Sequence, residues 1–374
     1  MRSPQTEKYL PKKLTGEELD DYLARGWYRM GCEVFTCQFL YFKEKLYSPV
    51  WIRLPLKDYE FKKRLRKLFN RNRRKFQVIV RPLELNKEKE DLYQKYRKHF
   101  HSWIGLTLID NLQEGNATTV FDTYEACIYE GEKLVGCSFF DLGNNSLTSI
   151  LGMYDPDYQQ DSLGFYTMLL EIEYGKEKGF EFYYPGYIVP YYPAFDYKLR
   201  IGTPEDIEYF DLRTEEWMNY SSFDKNNTLT IETGNKLNAL GKLLTINGVS
   251  STMLFFPCYD PYLVMMHDLE NMMSPLFLSC FSDIFMQPQY LVYYNYFDLH
   301  FYFYDCTLPE EESAEMEDNF LPEENAAEML NFVKHQKLIF KSLSIVDMAA
   351  TVKRHQLKVL AKSYASSDDK KEKG

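Results

Sequence analysis

The sequence predicts an α+β fold in which a mixed sheet is flanked by helices. Three segments rich in aromatic and β-branched residues follow one another between residues 124 and 154, with short glycine-containing turns between them, which is typical of a β-meander. A helical apolar stripe then begins near Ser162, Gly179 ends it, and a further strand is expected at 180–184. Strands followed by a helix and a returning strand indicate a mixed sheet covered by helices.

This order of elements is that of a GNAT-type acyltransferase core: two antiparallel strands, a long third strand, a helix and a fourth strand. We expect an N-terminal α/β subdomain over residues 1–82, the GNAT-like core over 83–220 and an additional C-terminal α+β extension over 221–374. A composition shift at 219–229 marks the second boundary, and a charged tail from Asp368 onward is expected to be disordered.

Local signals define the elements on either side of the core. Thr15 and Glu18 have the spacing of a capping box, which predicts a short helix that Gly26 ends. The apolar residues of 58–75 recur at i, i+4, i+7 and i+8, which predicts an amphipathic helix. Further predicted elements are strands at 49–55 and 76–80, a helix at about 87–101, short aromatic strands within 290–304, and a terminal helix at about 323–360.

Composition excludes several classes of protein. The chain has 374 residues, enough for two or three domains, and its formal charge of −11 excludes a uniformly basic nucleic-acid binder but leaves room for a local basic patch. Its 31 Tyr, 27 Phe and 4 Trp residues serve either dense core packing or a pocket for an apolar or nucleotide-like ligand.

Metal and membrane signals are weak throughout the sequence. None of the seven cysteines forms a CxxC pair and the six histidines are scattered, so we expect no metal site, no cofactor and no disulfide framework. The N-terminus lacks the apolar stretch of a signal peptide, and no apolar run is long enough to span a membrane. We therefore expect a cytoplasmic protein with reduced thiols.

Four motifs follow one another in a fixed order between Leu147 and Arg200. They are Tyr-Asp-Pro-Asp-Tyr at 154–158, Ser-Leu-Gly at 162–164, Tyr-Pro-Gly-Tyr at 184–187 and Tyr-Pro-Ala-Phe-Asp-Tyr-Lys at 192–198. Upstream motifs in the same register lie at 26–31, 48–55, 62–72, 92–96 with His101, and 131–136. With these motifs, residues 14–213 resemble the aminoacyl-tRNA–protein transferases, the arginyltransferases and leucyltransferases of the N-degron pathway.

The resemblance implies an enzyme that moves Arg or Leu from charged tRNA to the N-terminal amine of an acceptor protein with an acidic N-terminal residue. Its implied partners are the aminoacyl-tRNA and that acceptor, with no membrane involved and with the oligomeric state left open. Because an aminoacyl ester is already activated, such an enzyme needs mainly positioning, a proton acceptor and support for the tetrahedral oxyanion.

Two departures from the family pattern keep other functions open. The stretch 39–47 lacks the family's cysteine cluster, and the loop 192–196 reads Tyr-Pro-Ala-Phe-Asp where the family has Cys-Pro-Lys-Met-Asn. These departures are compatible with a non-catalytic binding protein on the same scaffold. A further alternative, an acyl-CoA N-acyltransferase, is disfavoured because Asp161 and Tyr166 stand where such enzymes hold pyrophosphate.

Candidate site residues follow from these motifs. Asp155 and Asp157 are expected to orient or deprotonate the incoming ammonium, although turn formation explains them equally, and the Tyr187 ring is expected to stack on the terminal adenine or to pack in the core. The start of the helix after Ser162 offers unpaired N–H groups. The expected substrate-binding residues are Tyr158, Ser162, Leu163, Gly164, Tyr197, Lys198 and Arg200.

The basic segment 62–75 is the candidate tRNA contact. It carries nine cations in fourteen residues, which would attract the phosphates of an acceptor stem, although a merely solvated face explains them too. The residues assigned to tRNA binding are Lys62, Lys63, Arg66, Lys67, Arg71, Arg73 and Arg74.

Overall fold

The structure is a computed structural model that describes residues 6–43, 45–99, 104–116, 119–255, 274–281, 289–306 and 337–371. The helices are α1 (Gly16–Ala24), α2 (Lys63–Lys75), α3 (Lys87–His99), α4 (Leu108–Gln113), α5 (Leu163–Lys178), α6 (Leu229–Ile246) and α7 (Ile345–Lys371). Short 3₁₀ segments lie at Pro156–Asp161, Pro193–Ile201 and Tyr220–Ser222. The strands are β1 (Thr6–Tyr9), β2 (Tyr28–Met30), β3 (Glu33–Cys37), β4 (Leu40–Phe42), β5 (Lys45–Tyr47), β6 (Val50–Pro55), β7 (Gln77–Pro82), β8 (Thr123–Glu130), β9 (Lys133–Leu142), β10 (Ser146–Tyr154), β11 (Phe182–Ile188), β12 (Glu208–Asp211), β13 (Glu216–Asn219), β14 (Ser251–Phe255), β15 (Leu276–Cys280), β16 (Tyr290–Tyr294), β17 (Phe301–Asp305) and β18 (Lys337–Ser342).

The described residues form two compact units. The core unit contains residues 7–37 and 49–225, and the second unit contains 38–48 and the described part of 226–374. The division into domains at residues 82 and 220 stays a prediction, because compactness does not test which segments fold alone.

The core unit is built on an eight-stranded mixed sheet with the order β13-β12-β6-β11-β10-β9-β8-β7. Its strand pairs are antiparallel except for β10 and β11, which run parallel on either side of the α5 crossover. Helices α2 and α5 pack on one face, and α3 and α4 pack on the other. The prediction of an α+β fold with a GNAT-like core is thereby confirmed.

Alternation along the strands explains why both faces of this sheet are covered. On β8, Ala126 and Ile128 join the cluster with α2 and α5, whereas Cys127 between them joins the cluster with α3 and α4. Side chains alternate with a period of two along a strand, so a run that is apolar at every position needs a layer on each side.

The second unit contains a five-stranded antiparallel sheet in the sequential order β14 to β18 and the hairpin of β4 and β5. Helices α6 and α7 pack against the sheet through a cluster that includes Leu240, Val292, Phe303 and Val352. None of the helices within the described ranges is long and apolar enough to cross a membrane.

The local signals at the N-terminal helix and the meander are confirmed. The Thr15 hydroxyl accepts the Glu18 N–H at 3.2 Å, and the Glu18 carboxylate accepts the Thr15 N–H at 2.7 Å, which is a complete capping box. The three meander strands are β8, β9 and β10, and Gly179 ends α5 with φ +75°.

Other boundaries differ from the prediction. Helix α2 begins at Lys63 rather than 58, because Tyr59 and Phe61 are buried in the core on non-helical backbone. The sequence predicts a terminal helix from about 323, but the stretch 337–342 is strand β18, which pairs with β17. Residues 323–336 of the predicted helix lie outside the described ranges. The charged tail is a separate prediction: Asp368 to Lys371 were expected to be disordered, but they continue α7.

The helices α4 and α6, the strands β12 and β13, and the 3₁₀ segment 193–201 were not predicted. Each is short or weakly periodic in sequence and gains its stability from packing. His101, which belongs to one of the family motifs, lies outside the described ranges.

A buried ion pair ties the N-terminal strands to the core sheet and gives a stability prediction. Arg29 on β2 donates to Asp141 on β9 at 2.8 Å, and both side chains are fully buried. We expect Asp141→Asn to lower the free energy of unfolding by about 3–5 kcal/mol, because it leaves a buried guanidinium without its counter-charge. Urea denaturation measures this change.

The matched control is Asp91→Asn, which breaks the exposed i,i+4 pair of Lys87 and Asp91. This substitution should leave the unfolding midpoint unchanged within error. Equal effects of the two substitutions would contradict the assignment of Arg29 and Asp141 as a structural anchor.

Candidate active site

The core sheet opens between its two parallel strands. Pairing of β10 with β11 covers Ser146 to Thr148 and stops at Thr148 opposite Tyr184. Beyond that point β10 continues to Tyr154 beside β9, while β11 continues to Ile188 beside β6. The two strands therefore separate, and their facing edges line an opening that we call the β10–β11 cleft.

Irregularities at the same level of both strands explain the separation. On β10 the register shifts between Ser149 and Leu151, and on β11 it shifts between Tyr183 and Gly186. Pro185 in the second bulge has no N–H to donate, and Gly186 adopts φ +93°, which favours glycine. Bulges bend and twist a strand, so two neighbouring bulges turn β10 and β11 apart.

The first turn of α5 lies beside the open end of β10. Ser162 has left-handed backbone (φ +55°) and no side chain caps the helix, so the N–H groups of Leu163 and Gly164 are left without intrahelical partners. Leu163 is fully buried, backbone included, whereas Gly164 is half-buried, so the N–H group of Gly164 is the one of the two that a ligand can reach. A Cβ on Gly164 would lie 2.9 Å from the Tyr154 ring, so this glycine admits a close approach of Tyr154.

The 3₁₀ segment 193–201 places two predicted residues, Lys198 and Arg200, at the cleft, beside Tyr187 of β11. The Lys198 ammonium donates to the Tyr187 carbonyl at 3.0 Å and lies over the rings of Tyr187 and Phe195, at 5.1 and 5.5 Å from their centroids. Arg200 lies over the Phe165 ring in the first turn of α5, at 4.7 Å. Tyr187 contacts the buried Trp51 edge-on at 5.1 Å.

Lys198 is chemically distinctive. Among the described residues no carboxylate lies within ion-pair distance of its ammonium, and burial lowers the pKa of Lys198 to about 8. A lysine with such a pKa is partly neutral near physiological pH and can accept a proton.

A second polar cluster lies under the cleft. Glu171, on the third turn of α5, accepts hydrogen bonds from Ser138, Ser149 and Tyr183, the last at 2.7 Å. Burial raises the pKa of Glu171 to about 7, although these hydrogen bonds oppose the shift. Burial and then the Glu171 charge raise the pKa of Tyr197 to about 12, so the Tyr197 hydroxyl lies near this carboxyl group.

Asp155 is held by an ion cluster. Its carboxylate caps the following 3₁₀ segment through the Asp157 N–H at 3.2 Å and pairs with Lys133 at 2.9 Å and Lys95 at 3.2 Å. Burial tends to raise the pKa of Asp155, but the hydrogen bonds from Lys133, Asp157 and Lys95 outweigh it and the pKa is lowered. A carboxylate so engaged is a weak base, which favours a positioning role.

The side chains of the neighbouring motif residues Asp157 and Tyr158 have other surroundings. Asp157 is exposed, and the Tyr158 hydroxyl donates to Glu130 at 2.5 Å. The ammonium groups of Lys133 and Lys75 lie over the Tyr158 ring at 5.0 and 5.4 Å from its centroid.

The basic helix α2 packs beside the start of α5. Asn72 donates to the Asp161 carbonyl at 2.8 Å, Arg71 donates to the same carbonyl at 3.2 Å, and Lys75 pairs with the Asp161 carboxylate at 2.7 Å. The cationic helix and the N-terminal end of α5 thus lie on the same part of the core unit.

Several cations of α2 are committed to protein partners. Lys62 pairs with Asp206 at 3.4 Å, and Arg66 pairs with Glu60 at 3.6 Å. Within the described ranges Lys63, Lys67, Arg73 and Arg74 are exposed and have no carboxylate partner. These four are the best placed of the predicted tRNA contacts.

One group of side chains has the composition of a metal site. Glu125, Cys127 and Cys137 bring their ligand atoms within 4.8 Å of one another in the interior of the sheet. The Lys89 ammonium lies 2.8 Å from the Glu125 carboxylate, and burial raises the pKa of Cys137 well above its usual value. A resident ammonium and a Cys137 thiol whose ionisation is disfavoured do not suit a cation.

Comparisons with known proteins agree with the motifs. Residues 88–207 match the sequence model described as the C terminus of arginine-tRNA-protein transferase. An aspartate/glutamate leucyltransferase from Leptospira interrogans is 26% identical over 220 residues, which cover 58% of this chain and 83% of that protein. A Campylobacter jejuni protein of the same name is 28% identical over 218 residues, covering 55% and 85%.

These matches support membership of the aminoacyl-tRNA–protein transferase family. The resemblance seen in the motifs is thus confirmed. Among solved structures, a GCN5-related N-acetyltransferase from Anabaena variabilis is 12% identical with a TM-score of 0.30, and the alignment covers 56% of this chain and 44% of that one.

Two residues of the cleft were missed in the sequence. Glu171 stands three residues after Met168 and next to Ile172, so it lies on the buried face of the predicted helix, and a carboxylate at such a position was the available signal. Tyr154 was seen as part of a motif, but its contact with Gly164 depends on the packing of α5 against β10.

The contact between Gly164 and Tyr154 gives a second prediction. We expect Gly164→Ala to lower the free energy of unfolding by about 1–3 kcal/mol, because the added Cβ forces the Tyr154 ring to move. In the double variant with Tyr154→Ala the two effects should be less than additive. Thermal or urea unfolding measures both.

The control is Gly234→Ala in α6, where a Cβ would meet nothing within 4 Å. That substitution should stabilise the protein slightly, since alanine is the better helix former. If Gly164→Ala stabilised the protein to the same degree, the proposed packing of Tyr154 would be wrong.

Proposed function

We propose that this chain transfers an aminoacyl group from charged tRNA to the N-terminal amine of an acceptor protein. The name of the relatives suggests leucine as the donor residue and aspartate or glutamate at the acceptor N-terminus, whereas the matching family model suggests arginine as the donor. The proposal includes a cytoplasmic location, where charged tRNA is available.

The observation that carries the proposal is the β10–β11 cleft. It has a helix N-terminus at one end, and on its border lies Lys198, which pairs with no carboxylate in the part of the chain that the structure describes. The open strand edges offer backbone groups to an extended acceptor chain. The N–H group of Gly164 and the adjacent Arg200 suit a phosphate or an oxyanion. The half-buried Tyr187 ring, which already contacts Lys198, is the proposed stacking surface for the terminal adenine.

In the proposed reaction the acceptor ammonium first loses a proton to neutral Lys198. The amine then attacks the ester carbonyl, a C–N bond forms, and the charge on the carbonyl oxygen is stabilised by the α5 terminus. The ester C–O bond breaks as Lys198 gives this proton to the departing ribose oxygen. The attacking nitrogen then loses its second proton to the neutral Lys198, which releases it to solvent, so that a neutral amide, a ribose hydroxyl and one free proton result. An acceptor α-amino group has a pKa of about 7.7–8.0, which matches that of Lys198, at about 8.

Within this proposal the motif carboxylates have separate duties. Asp155, anchored by Lys95 and Lys133, holds the turn that leads into α5. Asp157 is exposed and remains the candidate for contacting the acceptor ammonium. Ser162, Tyr158 and Tyr197 remain proposed substrate contacts.

Transfer is tested by incubating the protein with tRNA charged with labelled leucine or arginine and a peptide beginning with Asp or Glu. We expect label on the peptide for at least one of the two amino acids, and none on a matched peptide with an acetylated N-terminus. Absence of label with every charged tRNA would overturn the proposal. Binding of acetyl-CoA at micromolar concentration would favour an acyl-CoA enzyme instead.

The cationic helix gives a separate prediction for tRNA binding. Lys63, Lys67 and Arg74 lie on the outward face of α2, opposite the buried Leu65 and Phe69. Replacing these three cations by serine should weaken tRNA binding and lower the slope of log K against log salt by about 0.7–0.9 for each phosphate that the variant no longer neutralises.

Fluorescence anisotropy at several salt concentrations measures this slope. The control replaces Lys87 and Lys178, two exposed lysines outside α2, and should leave the slope unchanged. An unchanged slope in the α2 variant would mean that the helix does not contact tRNA.

The role of Lys198 is tested by pH dependence. Because burial lowers the pKa of Lys198 to about 8, its neutral form increases as the pH rises through 8, and kcat at saturating acceptor should rise over the same range. Lys198→Arg keeps the charge but cannot release a proton near neutrality, so kcat should fall by about 10²–10⁴-fold.

The matched control is Lys178→Arg at the exposed end of α5, which should retain full activity. The KM for charged tRNA should change little in the Lys198 variant. Retention of kcat within threefold in Lys198→Arg would exclude Lys198 as the proton acceptor.

A further inference from the structure

The interior of the core unit contains one acidic group whose surroundings differ from those of all comparable groups. Among the described residues five carboxylates are at most 7% exposed. Four of them pair with a cation: Asp141 with Arg29, Glu125 with Lys89, Asp155 with Lys133 and Asp161 with Lys75. Glu171 has only hydroxyl partners in the described part of the chain.

This difference is physically significant. Burial of a carboxylate disfavours its charge, and hydrogen bonds from neutral hydroxyl groups compensate for less than an ion pair does. Burial accordingly raises the pKa of Glu171 to about 7 despite three such bonds. A cationic group of a ligand would stabilise the ionised form of such a buried acid.

The position of Glu171 connects it to the cleft. Ser149 and Tyr183, two of its donors, lie at the bulges where β10 and β11 separate. Tyr197 is 41% exposed, yet its hydroxyl is close enough to feel the Glu171 charge. The acid therefore lies beside the residues at which the strands part, and near the partly exposed Tyr197.

Distance along α5 indicates which group of a donor reaches this acid. Glu171 follows Gly164 by seven residues, which corresponds to about 10 Å along the helix axis. If the ester carbonyl binds at the first turn of α5, the α-ammonium stays near that turn because it is one atom away from the α-carbon. An extended arginine side chain has five bonds of about 1.5 Å from the α-carbon to its guanidinium carbon, and so covers roughly 6 Å of the distance.

We propose that Glu171 is the specificity residue for the donor amino acid, and that it pairs with the guanidinium of an arginyl donor. This inference rests on the proposed aminoacyl transfer. A guanidinium forms two parallel hydrogen bonds with a carboxylate, and burial in the cleft strengthens such a pair. A leucyl side chain has neither the charge nor the length to use this acid.

The test measures binding rather than transfer. The probes are adenosine derivatives that carry arginine or leucine through a non-hydrolysable 3′-amide, titrated by calorimetry. The wild-type protein should bind the arginyl probe at least tenfold more tightly than the leucyl probe. Glu171→Gln should lower the affinity for the arginyl probe by at least tenfold and leave the affinity for the leucyl probe within threefold of the wild-type value.

Two further variants separate charge from structure. Tyr183→Phe removes one hydroxyl donor but keeps the carboxylate, so the preference for the arginyl probe should persist. Glu171→Asp keeps the charge on a shorter side chain, and it should lower the affinity for the arginyl probe but not the affinity for the leucyl probe. A purely structural Glu171 would change binding of both probes together.

Stability provides the folding control. The pKa of Glu171 is higher in the folded protein than in the unfolded chain, so its ionisation disfavours folding as the pH rises through 7. The groups that face Glu171 from the packed elements are the hydroxyls of Ser138, Ser149, Tyr183 and Tyr197. Glu171→Gln should therefore be as stable as the wild type at pH 8, or more so.

Three outcomes would overturn the inference: equal binding of the two probes, tighter binding of the leucyl probe, or equal loss of both in Glu171→Gln. Failure here is distinguishable from failure of the proposed function. Leucine transfer that is insensitive to substitution of Glu171 would support the proposed function and refute the donor specificity. Selective binding of the arginyl probe without transfer would support the donor specificity and refute the proposed function.

Discussion

The separation of β10 from β11 is the constraint on which the rest of the site depends. A parallel pair in the middle of a sheet normally continues as far as both strands do, but here a bulge on β10 and the Pro185–Gly186 bulge on β11 occur at one level. Proline removes a donor and Gly186 uses backbone that other residues avoid, so pairing stops after Tyr184. The opening is thus encoded locally.

The opening also organises the chemistry around it. Gly186 leaves room for the Lys198 ammonium, because a Cβ on residue 186 would lie 3.1 Å from the Lys198 Nζ atom. Ser149 and Tyr183, at the edges of the two bulges, hold Glu171. Lys198, the proposed base, and the buried acid Glu171 are therefore both positioned beside the same backbone irregularity, one from the 3₁₀ segment 193–201 and the other from α5. A regular sheet would offer neither of them a place beside a ligand.

Electrostatics follow a consistent arrangement within the core unit. The chain carries a formal charge of −11, yet among the described residues each buried carboxylate other than Glu171 pairs with a lysine or an arginine. The exposed cations of α2 lie beside the N-terminal end of α5, so this part of the acidic chain carries a local cluster of positive charge. An acidic protein can in this way attract an RNA end to one region.

Much of the fold was predictable because its signals are local. The Thr15 capping box, the turns of the meander and the stop at Gly179 each depend on residues close in sequence, and all three are found. The site was harder to predict from the sequence because it depends on pairs of residues that are far apart along the chain. The partners of Asp155 are 22 and 60 residues away, and no spacing rule links Glu171 to Ser138 and Tyr183. Likewise β18 is a strand because it pairs with β17.

Hydrogen–deuterium exchange of the protein with and without bound aminoacyl-tRNA tests the central claim most directly. The account predicts new protection at the free edges of the cleft, residues 149–154 and 185–188, and in the 3₁₀ segment 193–201, with the inner strands β8 and β9 unchanged. Protection confined to the second unit, with none at these three segments, would contradict the claim that the separated strands receive the charged end of the tRNA.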